Sequence, residues 1–189
     1  NFYNAILNWT TNETNLSNCF YQNVNLTTIP LLDTSNVTNM SSMFSGCRNL
    51  TTIPQLDTNN VTNMGTMFNN CTSLSYLNIS TWDTSNVQTM YAMFSDLRSL
   101  NYLDVSHFNT KNVIDMSFMF DGLEFGSGLT EIKGLENFDL SSLKWTGAMF
   151  AGTNKLKKVE FSNANNSSII TISVDRANLK VGLFYNCSS

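Results

Sequence analysis

Hydrophobic and polar residues are arranged along the chain in a twelve-residue pattern that recurs with little change. Residues 33–44 read Asp-Thr-Ser-Asn-Val-Thr-Asn-Met-Ser-Ser-Met-Phe, and close copies occupy 57–68 and 83–94, with weaker copies at 109–120 and 139–150. We number the copies 1 to 7 by the phenylalanine that ends each one: Phe20, Phe44, Phe68, Phe94, Phe120, Phe150 and Phe184. Repetition at steps of 24 to 34 residues predicts stacked supersecondary units.

The apolar residues within each copy predict a short amphipathic helix. In copy 2 they recur at i, i+3, i+6 and i+7, a spacing that places them on one face of roughly two to three helical turns. These residues are Val37, Met40, Met43 and Phe44. All nine methionines of the chain occupy equivalent positions, so we expect them to pack in the core.

The residues between the copies alternate with the period of a β-strand. In residues 74–80 and 100–106, branched apolar residues alternate with polar residues or tyrosine. Pro30 and Pro54 shorten the equivalent strands of the earlier copies, because proline cannot donate to a strand ladder.

A strand followed by a turn and a helix, repeated about every 25 residues, is the leucine-rich-repeat unit. We therefore predict an α/β fold: a leucine-rich-repeat-like right-handed solenoid of about seven coils of 24–34 residues, with a parallel sheet on one face and short helices on the other. Residues 1–189 are predicted to form one solenoid domain. It would have an N-terminal cap or partial repeat at 1–19, regular repeats at 20–160 and an irregular C-terminal repeat or cap at 161–189, where residues 168–175 add a strand.

The phrase Leu-Asp-Val-Ser-His-Phe-Asn-Thr-Lys-Asn-Val-Ile-Asp-Met-Ser-Phe-Met-Phe at 103–120, and its sharper copies, resemble the BspA-type leucine-rich-repeat surface proteins of bacteria. The resemblance covers about residues 20 to 160, and the first two full repeats depart from the family's pattern in their Ile-Pro strands. It implies an extracellular or cell-surface protein that adheres to a host matrix protein, to mucin or to a cell-surface glycan. It implies no catalytic residue.

Charge and hydropathy narrow the class of partner. Only 13% of the residues are charged and the net charge is -4, without a basic stripe, so we expect no nucleic-acid binding. No apolar run approaches the roughly 20 residues that span a bilayer, so we expect no direct membrane insertion by this fragment. The chain begins at Asn1 and is interpreted as an excised fragment.

Three of the four cysteines, Cys47, Cys71 and Cys187, lie three residues after the phenylalanine of their copies. This column predicts a buried ladder of small apolar side chains, and a disulfide between Cys47 and Cys71 is the alternative. The chain has no CxxC pair and His107 is its only histidine, so we expect no metal and no other cofactor.

A second column contains a short acidic or amide side chain at the start of each copy. Its members are Asp33, Asp57, Asp83, Asn109 and Asp139. We interpret them as turn and cap residues, which hydrogen-bond to nearby backbone N–H groups. A calcium site along the column is the alternative.

The outward positions of the predicted strands form the broad surface that packing does not use. The candidate ligand-binding residues are Tyr76, Asn78, Tyr102, Asp104, Glu131 and Lys133. In one outward column Tyr76, Tyr102, Glu131 and Lys158 are neighbours, and in the next Asn78, Asp104, Lys133 and Glu160 are. Exposed tyrosines beside amides and carboxylates suit protein or glycan contacts. Ordinary cross-strand pairing is the alternative interpretation.

The sequence disfavours an enzyme, because His107 has no paired nucleophile and we expect no catalytic residues. Two other classes of function remain open. The first is a secreted or cell-surface module for adhesion or ligand binding. The second is a passive spacer or stalk that displays another domain, including a phage tail or fibre component.

Overall fold

A computed structural model describes residues 13–122 and 126–156, together with the backbone of the two strands at 158–162 and 169–173. The regular elements are β1 (Tyr102–Asp104), β2 (Glu131–Lys133), a 3-10 helix (Leu135–Asn137), β3 (Lys158–Ser162) and β4 (Ile169–Ser173). β1 pairs in parallel with β2, and β3 pairs antiparallel with β4. The expectations for Phe184, for Cys187 and for most of both caps lie outside the described residues.

Copies 1 to 6 lie side by side in parallel register. One residue of each copy forms a parallel bridge to the next copy, in the order Asn15, Asn39, Asn63, Thr89, Asp115 and Trp145. From each bridge onward, every second backbone N–H donates to the following copy. In copy 2 these donors are Met40, Ser42, Phe44 and Gly46, whose acceptors are the carbonyls of Asn63, Gly65, Met67 and Asn69 at 2.8–3.0 Å. The same four bonds recur at each of the five junctions, so the stacking advances by one copy per step.

The segments predicted as helices are turns, and the described residues contain no α-helix. The intervening N–H groups close four-residue β-turns instead, as in Met43 N–H to the carbonyl of Met40 at 3.2 Å and Cys47 N–H to the carbonyl of Phe44 at 2.9 Å. An α-helix needs each N–H for the carbonyl four residues back. Here alternate N–H groups are donated to the neighbouring copy, so a helix cannot form.

In copies 1 to 6 this ladder places the residue two positions before the phenylalanine in the left-handed region. The residues are Asn18, Ser42, Thr66, Ala92, Phe118 and Ala148, with φ between 47° and 59°. Asparagine tolerates this conformation, whereas it is unusual for a bulky or β-branched residue and costs roughly 1–2 kcal/mol. The column shows that the backbone shape is imposed by the repeat and not chosen by the local residue.

A stack of phenylalanine rings forms the centre of the core. The rings of copies 1 to 6 lie nearly parallel, with centroids 5.3–6.1 Å apart, and all six are buried. All nine methionines are buried around them, which confirms their predicted place in the core. Burying one such side chain contributes about 1.5–3 kcal/mol, so the stack and the methionines around it together provide a large apolar link between copies.

A buried ladder of threonine hydroxyls also joins the copies. Thr84 Oγ1 donates to the carbonyl of Asn109 at 3.0 Å and accepts the N–H of the same residue at 2.8 Å. Thr34, Thr58 and Thr110 make the equivalent bond to the carbonyl of the next copy at 2.9 Å. Because a buried hydroxyl is costly without a partner, these pairs fix the register of adjacent copies. Leu140 stands at the next position and ends the ladder.

The strand half of each copy is less regular than predicted. Of the expected parallel sheet, only β1 and β2 have strand geometry among the described residues. Lys158 and Glu160, expected in the parallel columns, lie instead in β3, which pairs antiparallel with β4. β4 itself falls within the predicted added strand at 168–175. The right-handed leucine-rich-repeat-like solenoid of seven coils stays a prediction for the chain as a whole.

Candidate ligand-binding surface

The parallel pair of β1 and β2 presents four of the six candidate residues. Tyr102 lies opposite Glu131, and Asp104 lies opposite Lys133, which is the register predicted from the outward columns. Between them, Leu103 is buried against the core. The alternation of the strand therefore holds the polar side chains and the tyrosine on the outer side. We call this outer side, with Tyr76 and Asn78, the strand face.

Asp104 is the centre of a hydrogen-bonded cluster on the strand face. Its Oδ2 accepts from Lys133 Nζ at 3.0 Å and from the hydroxyl of Tyr102 at 3.4 Å. Its Oδ1 accepts from the hydroxyl of Ser106 at 2.6 Å and from the N–H of Ser106 at 3.0 Å. Oδ1 is therefore committed to the turn after β1, and the Oδ2 side is where a ligand could compete or add a bond.

The cluster shifts the ionisation of its members in consistent directions. The Ser106 hydroxyl and N–H, followed by the Lys133 ammonium, hold the pKa of Asp104 well below its usual range. The hydrogen bond to Asp104 raises the pKa of Lys133. Desolvation, followed by the negative charge of Asp104, raises the pKa of Tyr102. At neutral pH the strand face therefore presents a carboxylate, an ammonium and a protonated phenol side by side.

Tyr76 and Asn78 belong to the preceding copy. Tyr76 is the more exposed of the two strand-face tyrosines, at 67% against 47% for Tyr102. Asn78 Oδ1 accepts from the N–H and the hydroxyl of Ser80, at 3.2 and 2.8 Å, which is the turn geometry that Asp104 makes with Ser106. That Tyr76 and Tyr102 touch each other stays a prediction.

The acidic column at the start of each copy forms turns of the same kind. Asp33 Oδ1 accepts from the N–H of Ser35 at 3.0 Å and from its hydroxyl at 2.7 Å, and these bonds lower the pKa of Asp33. The other members accept an N–H two residues on, at 2.8–3.2 Å. The predicted turn role is confirmed, although no helix follows for these residues to cap. No group of three potential metal ligands gathers anywhere in the part of the chain that the structure describes.

The cysteine column is a ladder of free thiols where it is described. Cys47 Sγ and Cys71 Sγ donate to the carbonyls of Phe20 and Phe44 at 3.0 and 3.1 Å, and neither forms a disulfide. Burial raises the pKa of Cys47 to about 11 and also raises that of Cys71. Because the thiolate is the reactive form, these side chains serve packing. His107 is exposed and stands edge-on against Phe108, with ring centroids 5.1 Å apart.

A second group of aromatic side chains, two exposed and one half-buried, was not predicted. The group consists of Tyr91, Phe118 and Trp145, in copies 4, 5 and 6. The segments that contain them had been predicted as short helices packed on the core. Tyr91 and Trp145 are 41% and 54% exposed, and Tyr91 stands edge-on to Phe118 with centroids 5.8 Å apart. The sequence feature that could have predicted this group is Trp145, which replaces the asparagine found at the same position in copies 1 to 3. We call these three residues the aromatic row.

Among the described residues, no helix has the length and apolar character that crossing a bilayer demands.

Comparison with known proteins identifies a family. No curated protein and no solved structure matches the chain. A family model described as "Mycoplasma protein of unknown function, DUF285" matches twice, over residues 1–75 and 48–159. The matches overlap within the repeated region and together cover well over half of the chain. The chain therefore belongs to the bacterial family described as Mycoplasma protein of unknown function, DUF285.

Proposed function

We propose that the chain is a repeat module of a bacterial surface or secreted protein and that it binds a partner through the strand face. The partner is a host matrix protein, a mucin or a cell-surface glycan. The role is one of binding and not of catalysis. The observation that carries the proposal is the cluster of Tyr102, Asp104 and Lys133, which offers mixed donors, acceptors and an aromatic ring on an outer surface.

The proposal includes the architecture that displays this surface, a leucine-rich-repeat-like solenoid. Its support is the in-register ladder of copies 1 to 6 and their continuous phenylalanine core. Stacked repeats of this kind create extended surfaces, and their outward positions are free to vary without loss of the core. Membership of a bacterial repeat family is compatible with this interpretation.

A passive spacer is the second candidate, and the regularity of copies 1 to 3 favours it. These copies join through the same backbone bonds and the same stacked rings, and the buried threonines of copies 2 and 3 make the same bond to the next copy. Such uniformity suits a stalk that holds another domain away from a surface, in a cell-surface protein or in a phage tail or fibre.

The double variant Tyr76→Ala with Tyr102→Ala separates the two candidates. Adhesion to immobilised fibronectin, collagen, mucin and a glycan array is measured, with Tyr21→Ala as the matched control because Tyr21 is an equally exposed tyrosine of copy 1. A binding module loses adhesion at least tenfold in the double variant and keeps it in the control. Equal adhesion of all three proteins would contradict binding through the strand face, and no adhesion to any surface would favour the spacer.

A further inference from the structure

The aromatic row occupies positions at which copies 1 to 3 have small or amide side chains. The position of Tyr91 is Ser17, Ser41 and Gly65 in the earlier copies. The position of Phe118 is Asn18, Ser42 and Thr66, and that of Trp145 is Asn15, Asn39 and Asn63. Large rings therefore enter three separate columns of this surface, all within copies 4 to 6.

The backbone ladder brings these columns together. Ala92 N–H donates to the carbonyl of Ser117 at 2.9 Å, and Phe118 N–H donates to the carbonyl of Gly147 at 2.9 Å. Trp145 bridges to Asp115 of the copy that contains Phe118. The three rings thus come from three adjacent copies, whose backbones are about 4.8 Å apart, at different positions within the repeat. Beside Trp145, a side chain at Gly147 would meet no atom within 4 Å, so the surface there is open.

Packing does not explain Phe118. Its backbone has φ 59°, a conformation that glycine or asparagine adopts more easily. Its ring lies outside the buried core and contacts Tyr91 near the surface. A strained residue that adds nothing to the core is typical of ligand sites, where binding retains it against the cost in stability.

We propose that the aromatic row binds an uncharged polysaccharide chain, with its rings against the apolar faces of the sugars. Aromatic rings on three adjacent copies suit a ligand that extends across those copies, and Tyr91 and Trp145 add a hydroxyl and an indole N–H for sugar hydroxyls. Trp145 follows one base, Lys144, in the chain and bridges to one acid, Asp115, of the preceding copy. This balance complements a neutral ligand and gives no attraction for nucleic acid or another polyanion.

Phe118→Gly tests the proposal without a loss of fold. The glycine removes the ring and relieves the left-handed backbone, so its midpoint of thermal unfolding stays equal to or above that of the wild type. Ala148→Gly is the matched control, because Ala148 occupies the same column in copy 6 and its change removes no ring. Trp145→Ala removes a second ring of the row.

Binding is measured on arrays of uncharged glucans, mannans, galactans and chitin oligosaccharides, and by affinity electrophoresis in gels that contain the best of them. We expect retention of the wild type and of Ala148→Gly, and at least tenfold weaker retention of Phe118→Gly and Trp145→Ala. Tyr76→Ala with Tyr102→Ala should retain it, because the strand face is a separate surface. Three results would overturn the proposal: no uncharged glycan bound by the wild type, equal binding by the ring-deleted variants, or binding confined to anionic glycans such as heparin.

Discussion

Residues 13–94 and residues 95–156 share one hydrogen-bonded ladder and one phenylalanine stack, but they present different surfaces. Up to residue 94 the sequence has one basic and four acidic residues, whereas it has nine basic and ten acidic residues from 95 to its end. The strand pair of β1 and β2 occurs only in the second region, and two of the three rings of the aromatic row lie there. The regular copies therefore show what stacking alone requires, and the departures in the later copies mark candidate functional surfaces.

The strongest test of the shared core is a phenylalanine deletion in each region. Phe68→Ala and Phe120→Ala each remove a buried ring that stacks on both neighbours, so each should cost about 3–5 kcal/mol of unfolding free energy. Urea unfolding of the two variants gives the values. Tyr91→Ala is the exposed control, with an expected cost below about 1 kcal/mol. A cost below about 1 kcal/mol in either core variant would contradict a continuous stack of buried rings through both regions.

The threonine ladder gives a smaller effect, which should be absent in copy 6. Thr84→Val leaves both the N–H and the carbonyl of Asn109 without their hydroxyl partner, which should cost about 1–3 kcal/mol. Thr28→Val, at an exposed position, should change stability by less than about 0.5 kcal/mol. Because Leu140 replaces the threonine in copy 6, Leu140→Val should show only the small cost of a lost methylene. Equal costs at Thr84 and Thr28 would contradict the structural role of the buried hydroxyl.

Relief of backbone strain should stabilise the second region slightly. Ala148 has φ 55°, so Ala148→Gly should gain up to about 1 kcal/mol after the greater entropy of unfolded glycine is subtracted. Ala151→Gly is the control in the same copy, where the ordinary backbone predicts a loss of about 0.5–1 kcal/mol. Thermal unfolding of both variants shows whether each substitution stabilises or destabilises the protein. Destabilisation by both would mean that the left-handed column is not strained.

The weakest expected effect is the pH dependence of the strand face. The pKa of Asp104 is lowered in the folded protein, so its contribution to stability is present above the ordinary pKa of about 3.9 and is lost as the pH falls below it. The side chain is 36% exposed, so solvent screening keeps this contribution below about 1 kcal/mol. Asp104→Asn should therefore be slightly less stable than the wild type at pH 7, with the difference vanishing near pH 2. A stability difference between the two proteins that grows on acidification would contradict the lowered pKa of Asp104.

Much of the arrangement follows from the columns of the sequence. The spacing of the phenylalanines predicts which residues stack, and the outward columns predict the register of Tyr102 with Glu131 and of Asp104 with Lys133. The burial of the methionines and of Cys47 and Cys71 follows from the same alignment. These features depend only on which residues occupy equivalent positions in successive copies, and an alignment of the copies identifies those residues.

The prediction of short helices was wrong for the described copies, and the reason is physical. Apolar residues at i, i+3, i+6 and i+7 face one side both of a helix and of a run of β-turns that repeat every three residues, so Val37, Met40 and Phe44 do not distinguish the two. The choice is made by N–H groups that bond to the next copy, such as Ser42 N–H to the carbonyl of Gly65 at 2.8 Å. These hydrogen bonds form between copies, and the periodicity of apolar residues within one segment does not predict them. The aromatic row was missed for the same reason.

The in-register ladder is the claim on which both proposed surfaces depend, and distances between spin labels test it most directly. Thr14, Thr38 and Lys144 lie in one exposed column, in which each copy donates an N–H to the carbonyl of the copy before it. Cysteines replace these residues in pairs for labelling, and alanine replaces the native cysteines. At about 4.8 Å per copy, pulsed electron resonance should give roughly 19 Å between positions 38 and 144 and roughly 24 Å between positions 14 and 144. Distances that fail to lengthen by about one strand spacing with each added copy would contradict the ladder and both surfaces built on it.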